Sequence, residues 1–368
     1  MAELTAYAFL GGNLCTDLID STADLSALDS EGFWVVVIPF EGDATCLRFG
    51  DVRAVGDKWG IISASESSTE RAEASGRSKA TGRSEVACTR GVELTSWSSS
   101  LNASQFTDGV ERIRAEIADG QVYQVNLTRT LTATVPKDFN MSVLSEGLRR
   151  LNPAPYEALI SIPELDLAIA SASPESFLAR NGRLVRSSPI KGTASTPEGF
   201  LDKDLAENIM IVDLVRNDLG RVCEWGSVHV ADLLKVESHP GLHHLVSTIE
   251  GTLLEECGWS ELIDATFPPG SVTGAPKIAA LELIEDLEPT PRDIYCGSIG
   301  WVDADRAVGE LNVAIRTFWL TEGILHLGTG GGITYDSSAD GEWAETVLKA
   351  DRLLSVAARS DARGTGLR

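Results

Sequence analysis

Residues 296–335 read CGSIGWVDADRAVGELNVAIRTFWLTEGILHLGTGGGITY, and they decide the fold. The stretch reads as three strands joined by tight turns. Helical periods flank it. GAPKIAALELIEDLE (274–288) carries Pro276 near its first turn, and DGEWAETVLKADRLLSVAA (340–358) closes the pattern. Further upstream, QVYQVNLTRTLTATV (121–135), YEALISI (156–162), LDLAIASASPESFLA (165–179), GRLVRSSPI (182–190) and GLHHLVSTIEGTL (241–253) are strand candidates. Two more helices are expected. DGVERIRAEIADG (108–120) places Val110, Ile113 and Ile117 on one face with Gly120 as its stop, and DKDLAENIMIVDLVRNDLGRV (202–222) has the helical period. Long antiparallel strands mixed with helices imply an α+β layered domain. No fixed-period repeat is present.

Before 108 the signals weaken. Residues 1–60 alternate short apolar runs with Gly and Asp, as a few strands would. Residues 62–104 are rich in Ser, Ala, Gly, Glu and Arg and poor in large apolar side chains, which reads as a mobile loop or a boundary within the fold. The division expected is an N-terminal segment, 1–104, packing on the same fold, and a catalytic domain, 105–368.

The chain has 368 residues, with 43% hydrophobic and 23% charged, and a formal net charge of -23. That charge argues against binding nucleic acid or an anionic membrane, and it demands a local positive site or a bridging metal for any anionic substrate. The N-terminal MAELTAYAFLGGNLCTDLID lacks a basic, then apolar, secretion signal, and no apolar run reaches membrane-spanning length. Six widely spread cysteines contain no CxxC, so free thiols are expected over disulfides or zinc ligands, and a cytoplasmic protein follows.

Several groups of residues could carry chemistry. SSPIKGTAST (187–196) ends a strand with Lys191 before Gly192, a glycine that permits close backbone approach. A lysine freed of its proton is a nucleophile; the plainer reading is a solvated side chain at a turn. Glu175 lies in a turn one strand-turn-strand length earlier, so a hairpin could bring acid and lysine to one cavity mouth. On the 202–222 helix Glu207, Ile211, Leu214 and Asp218 share a face. On the last helix Glu342, Glu345 and Lys349 flank the stripe of Trp343, Val347, Ala350 and Leu354. Glu345–Lys349 is also an ordinary i,i+4 surface pair. Two helices each offering an acid could hold Mg2+, a hard cation that takes one or two carboxylates. Gly330, Gly331 and Gly332 offer backbone N–H groups to an anion, and Arg316 in NVAIRTF could point inward as a carboxylate fork. GSVTGAPK lacks Walker A spacing, and His239, His243 and His244 lack zinc spacing.

YQVNL, SPESFL, PIKGT, AENIMIVDLVRNDLGRV, HHLVSTI, GSVTGAPK, YCGSIGW, NVAIRT and GTGGGITYDS…EWAETVLKADRLL follow one another in this order. Over about residues 105–357 the chain resembles the chorismate-utilising enzymes of the anthranilate synthase component I type. The resemblance implies a large layered fold, with antiparallel sheets forming a β-sandwich core flanked by helices. It implies Mg2+ on Glu207 and Glu345, with Asp204 and Glu342 as supporting acids, binding the ring carboxylate of chorismate. Arg316, Tyr295 and Gly330–Gly332 would hold the pyruvyl carboxylate, and Thr193, His244, Thr273 and Lys349 would line the pocket.

Two positions sort the family. Isochorismate and salicylate synthases carry a lysine base where this chain has Gln124, and anthranilate synthases have alanine where it has Lys191. The resemblance is therefore to the aminodeoxychorismate synthase branch. It implies Lys191 as covalent nucleophile, Glu175 as acid, and ammonia drawn from glutamine by a separate amidotransferase subunit. An anthranilate synthase or a non-catalytic chorismate-binding subunit are the alternatives. ASTPEG after PIKGT and FPPGS before VTGAPK depart from the family pattern, and no tryptophan-binding motif is recognised.

Overall fold

The computed structural model describes residues 6–56, 97–137, 139–194, 196–200, 202–239 and 242–359. The N-terminal segment supplies β1 (Tyr7–Leu10), β2 (Asn13–Thr22), β3 (Phe33–Ile38), β4 (Thr45–Ala54) and the short β5 (Ser98–Ser99). Then come α1 (Ala103–Ala118), β6 (Gln124–Thr134), α2 (Met141–Leu151), β7 (Tyr156–Ile162), β8 (Leu167–Ser173), β9 (Ser176–Asn181), β10 (Leu184–Ser188) and β11 (Ile190–Ala194). The remainder is α3 (Asp202–Leu219), β12 (His229–His239), β13 (Leu242–Thr252), α4 (Trp259–Thr266), β14 (Gly274–Ala275) and α5 (Lys277–Leu287), then β15 (Ser298–Asp303), β16 (Val308–Val313), β17 (Thr317–Thr321), β18 (Ile324–Ile333) and α6 (Ala339–Arg359).

Every strand pairing among the described residues is antiparallel, and the pairings run as one ribbon. From β6 it passes through β18, β17, β8, β7, β1, β2, β4, β3, β15, β16, β9 and β10 to β13, which also carries β11 and β12. The molecule is thus a mixed fold of one large curled antiparallel sheet with six helices among the described residues. β1 to β4, from the first 104 residues, sit in mid-ribbon, where Tyr7 pairs with Ser161 and Phe33 with Asp303, while β5 pairs with β6 at one end.

The helices cover the sheet where their apolar faces demand it. Asn102 and Gln105 close a capping box at the start of α1, and Phe106, Val110 and Ile113 are buried against Val125 and Leu127 of β6 and Leu283 and Ile284 of α5. α2 and α6 bury Leu144, Leu148, Leu353 and Val356 in a second cluster with Phe318 and Leu327. The largest core contains Trp34, Val36, Ile160, Leu178, Ile211, Trp259 and Ile299. Five cysteines are free and buried, and Cys88 lies outside the described residues.

Three readings of the sequence change. The 296–335 stretch holds four strands, because NVAIRTF breaks between β16 and β17. Arg316 sits in that break with φ 51°, a left-handed conformation outside the extended region of a regular strand. LDLAIASASPESFLA likewise splits at Pro174–Glu175 into β8 and β9. α2, α4 and the edge strand β12 are present where no element was expected. Residues 62–96 of the Ser-rich stretch lie outside the described residues, and its tail forms β5 and opens α1. Among the described residues no helix is long and apolar enough to cross a membrane.

Candidate active site

The two ends of the ribbon meet at one loop. Residues 269–275 run between α4 and α5, and their β14 pairs with β6, Gly274 opposite Val125. At the other end Lys191, on β11, reaches the same loop: its Nζ donates to the Ser271 carbonyl at 2.8 Å. Gly192 follows with φ 87°, and a side chain there would run into Asp204 of α3. Glycine at that position lets β11 lie directly on the helix.

Glu175 stands beside Lys191. It occupies the break after β8, and the β9–β10 hairpin folds Ser188 back opposite Ser176, which brings Pro189–Lys191 alongside. The Ile190 N–H donates to Glu175 Oε1 at 3.4 Å. With 4% of its surface exposed, Glu175 is a buried carboxylic acid. Burial pushes its pKa above the ordinary glutamate value, against the opposing pull of the Ser271 hydroxyl, Lys191, the Ile190 N–H and Arg316. Behind it lies a cavity of about 20 Å³, lined by Ser187, Asp218, Thr266 and Ser271 among others, with room for about one water.

Gln124 opens β6 with 1% exposure, and among the described residues its Oε1 is buried with no hydrogen-bond partner. Gly332 lies beside it, and any side chain at Gly332 would collide with the Gln124 amide. A buried acceptor of this kind can take a hydrogen bond from water or from a ligand. Thr273 is fully buried, its hydroxyl donating to the Pro269 and Gly270 carbonyls and its carbonyl accepting from the Asn126 N–H. The buried His244 is opposite Thr193 in the β11–β13 register. Tyr295 is buried with its ring against Gly328, and burial raises its phenol pKa well above the usual value. Arg316 is half-buried, burial and Arg352 lowering its pKa, and among the described residues no carboxylate forms an ion pair with it.

The acids gather on two helices. On α6, Glu342 accepts from Ser337 Oγ at 2.7 Å, and Glu345 pairs with Lys349 at 2.7 Å, the i,i+4 pair expected. Lys349 Nζ also donates to the Gly330 carbonyl at 2.9 Å. A Cβ at Gly331 would stand 3.3 Å from Glu342 Oε2 and 3.8 Å from Glu345 Oε1, so both carboxylates face the glycine run. On α3, Asp204 and Glu207 are half-buried. Asp218, on the Glu207 face, is buried and satisfied by Lys277 at 2.7 Å. Among the described residues no three Asp, Glu, His or Cys side chains gather tightly enough to hold a metal unaided. The two α6 carboxylates beside Gly331 are hard oxygen donors, the kind Mg2+ takes, and that ion needs only one or two from a protein.

Ser271 and Arg292 escaped the sequence reading. Arg292, 1% exposed, donates to Glu288, to the Val272 carbonyl at 2.7 Å and to the Asn126 carbonyl at 2.6 Å, pinning the loop to β6. The PR before DIYCG was the available signal, a charged residue next to a turn.

A ribbon whose ends enclose a buried acid, a lysine and a glycine run with facing carboxylates defines a class. The chain belongs to the chorismate binding enzymes, whose family pattern matches residues 56–355. It is 39% identical over 274 residues to aminodeoxychorismate synthase component 1 of Salmonella typhimurium, covering 71% of this chain and 59% of the relative. It is 38% identical over 277 residues to anthranilate synthase component 1 of Haloarcula marismortui, covering 72% and 56%. The chain thus spans somewhat over half the length of these two relatives. Among solved structures, anthranilate synthase component I from Streptococcus pneumoniae superposes with a TM-score of 0.72 at 26% identity, covering 95% of this chain and 89% of the other.

Proposed function

We propose that this chain aminates chorismate at ring carbon C4, as an aminodeoxychorismate synthase component 1, through a covalent bond to Lys191. The observation that carries the reading is the Lys191 amine held 2.8 Å from the Ser271 carbonyl, beside the buried, protonation-prone Glu175. The neutral amine adds to C2, the two conjugated ring double bonds each shift by one position, to C1=C6 and C4=C5, and the C4–O bond breaks. Glu175 gives its proton to the departing oxygen, which leaves as water. Ammonia then bonds C4 and the C2–lysine bond breaks, returning the electron pair to nitrogen. The proton shed by the new amine restores Glu175, so chorismate and ammonia yield aminodeoxychorismate and water. Gln124 offers its unpaired oxygen to an N–H of the incoming ammonia.

Arg316 and the Gly330–Gly332 backbone, with Tyr295 behind them, suit the pyruvyl carboxylate, while Thr193, His244, Thr273 and Lys349 line the rest of the pocket. Glu207 and Glu345 would hold Mg2+, with Asp204 and Glu342 supporting them, and the ion would supply positive charge to the ring carboxylate. Ammonia is drawn from glutamine by a partner amidotransferase, in keeping with the words component 1 in the relative's name. We read the curled ribbon as a sandwich-like core, residues 1–104 as completing the catalytic unit of 105–368, and the cytoplasm as its compartment.

The test incubates the purified chain with chorismate, Mg2+ and ammonium salt, beside a Lys191→Ala variant, and identifies products by mass. Aminodeoxychorismate from the wild type, with a loss of at least roughly a hundredfold in the variant, is expected. Anthranilate with pyruvate would overturn the reading in favour of the anthranilate synthase branch.

A further inference from the structure

On the face of the sheet that α6 covers, Arg129 of β6 pairs with Thr329, two residues along from the Leu127–Gly331 pair and so on the same side as Gly331. Its neighbours on that side of β6, Leu127 and Leu131, are buried apolar side chains. Arg129 is buried too, with 6% of its surface exposed, and burial lowers the pKa of its guanidinium. A third leucine would fill such a place without desolvating a charge, so the arginine must do something a leucine cannot. Its contacts show what that is. Nε donates to Thr346 Oγ1 at 3.0 Å, a terminal N–H donates to Ser99 Oγ at 3.0 Å, and the guanidinium lies 4.4 Å from the centre of the Trp343 ring. Thr346 is held a second time, its carbonyl accepting from Thr329 Oγ1 at 3.0 Å, and Trp343 also meets the Phe106 ring of α1. The two α6 residues that Arg129 grips directly follow the two acids facing Gly331: Trp343 follows Glu342, and Thr346 follows Glu345.

We propose that Arg129 is a positioning residue for the divalent-cation site: it sets the seat of α6 on the sheet, and with it the placement of Glu345 and its supporting acid Glu342. The inference rests on the reading of these acids as metal carboxylates, and not on the amination. Two contacts three residues apart fix both the height of a helix over a sheet and its roll about its own axis. With side-chain ends roughly 5–6 Å from the helix axis, a roll of about 10° carries both carboxylates about 1 Å. A displacement of that size is enough to spoil a coordination geometry. Charge alone does not set the seat. The planar guanidinium does, because its edge donates to Thr346 while its face covers the Trp343 indole, and a lysine ammonium cannot do both.

The experiment titrates Mn2+, which takes the same hard oxygen donors as Mg2+, into the full chain with and without chorismate, and reads the free ion by electron paramagnetic resonance. Glu345→Gln identifies the site, and it should abolish the binding seen in the wild type. In Arg129→Met, which keeps the bulk of the stem, the dissociation constant should rise roughly tenfold, the lower end of what losing an outer support costs a metal site. Arg129→Lys should not restore the wild-type constant. Thr346→Val should raise it by a smaller factor, and adding Thr346→Val to Arg129→Met should change little, because one contact is lost only once. Should Arg129→Met fail to fold, Arg129→Lys and Thr346→Val carry the test. A residue that merely stabilises the core would lower the melting temperature and leave the Mn2+ constant where it was. That result in the variants, with Glu345→Gln still abolishing binding, overturns the proposal alone. Binding that survives Glu345→Gln, or that the wild type lacks, rejects the metal reading and the role of Arg129 with it.

Discussion

Glu175 costs the fold something, and its pH dependence should reveal how much. Burial raises its pKa in the folded chain above the unfolded value, so between those two values the folded state holds a proton that the unfolded state has released. The stabilising contribution is full below the unfolded pKa and is lost as pH rises through the folded pKa. Glu175→Gln removes this dependence. Its melting temperature relative to wild type should therefore climb from about pH 4 upward, read by thermal unfolding across a pH series. A flat difference would mean that Glu175 is not held protonated by its surroundings. Glu175 and Lys191 were legible because SPESFL and PIKGT present them in a turn and at a strand end, where side chains reach cavities. Ser271 was not legible. Its link to Lys191 is a backbone carbonyl, which any residue type supplies, and which becomes specific only when distant elements meet.

At the scale of elements, α5 and the turn after it are fastened to β6 by a buried ion pair. Glu288 accepts from the Thr128 N–H at 2.7 Å and hydroxyl at 2.9 Å, and from Arg292 at 2.7 Å, while the Arg292 guanidinium lies over Phe40. Arg292→Ala leaves the Glu288 carboxylate buried without its cation, at a cost of about 3–5 kcal/mol. The urea midpoint should fall accordingly. Arg292→Met combined with Glu288→Gln should cost less than the sum of the single changes, because neither charge is then stranded. Equal midpoints for wild type and Arg292→Ala would show the pair to be dispensable. Strand existence was readable from alternation, but strand ends were not. The break at Glu175 carried a signal in Pro174, whereas the break at Arg316 falls inside NVAIRTF, a run that reads as one strand until the left-handed φ of 51° interrupts it. α4 was missed because eight residues, WSELIDAT, are too few to establish a helical period.

At the scale of the whole molecule, the mixture of antiparallel strands with helices and the family were legible, since ordered motifs survive where local propensity does not. The route of the ribbon was hidden, because pairing partners lie hundreds of residues apart and alternation does not name them. β1 is the four-residue bridge between β7 and β2. Deleting residues 6–12 splits the ribbon and leaves two unpaired edges. The shortened chain should aggregate on size-exclusion chromatography and lose its single cooperative melt. A monomer melting like wild type would show that ribbon continuity is unnecessary.

The same placement has a consequence in time. Phe33 of β3 pairs with Asp303 of β15, so a strand among the first to be synthesised takes its partner from among the last. At ribosomal speed that interval is on the order of 15–50 s. Through it the apolar FWVVVI segment has no partner on that edge, and this nascent chain becomes a natural client for chaperones that shield early strands until the late ones emerge.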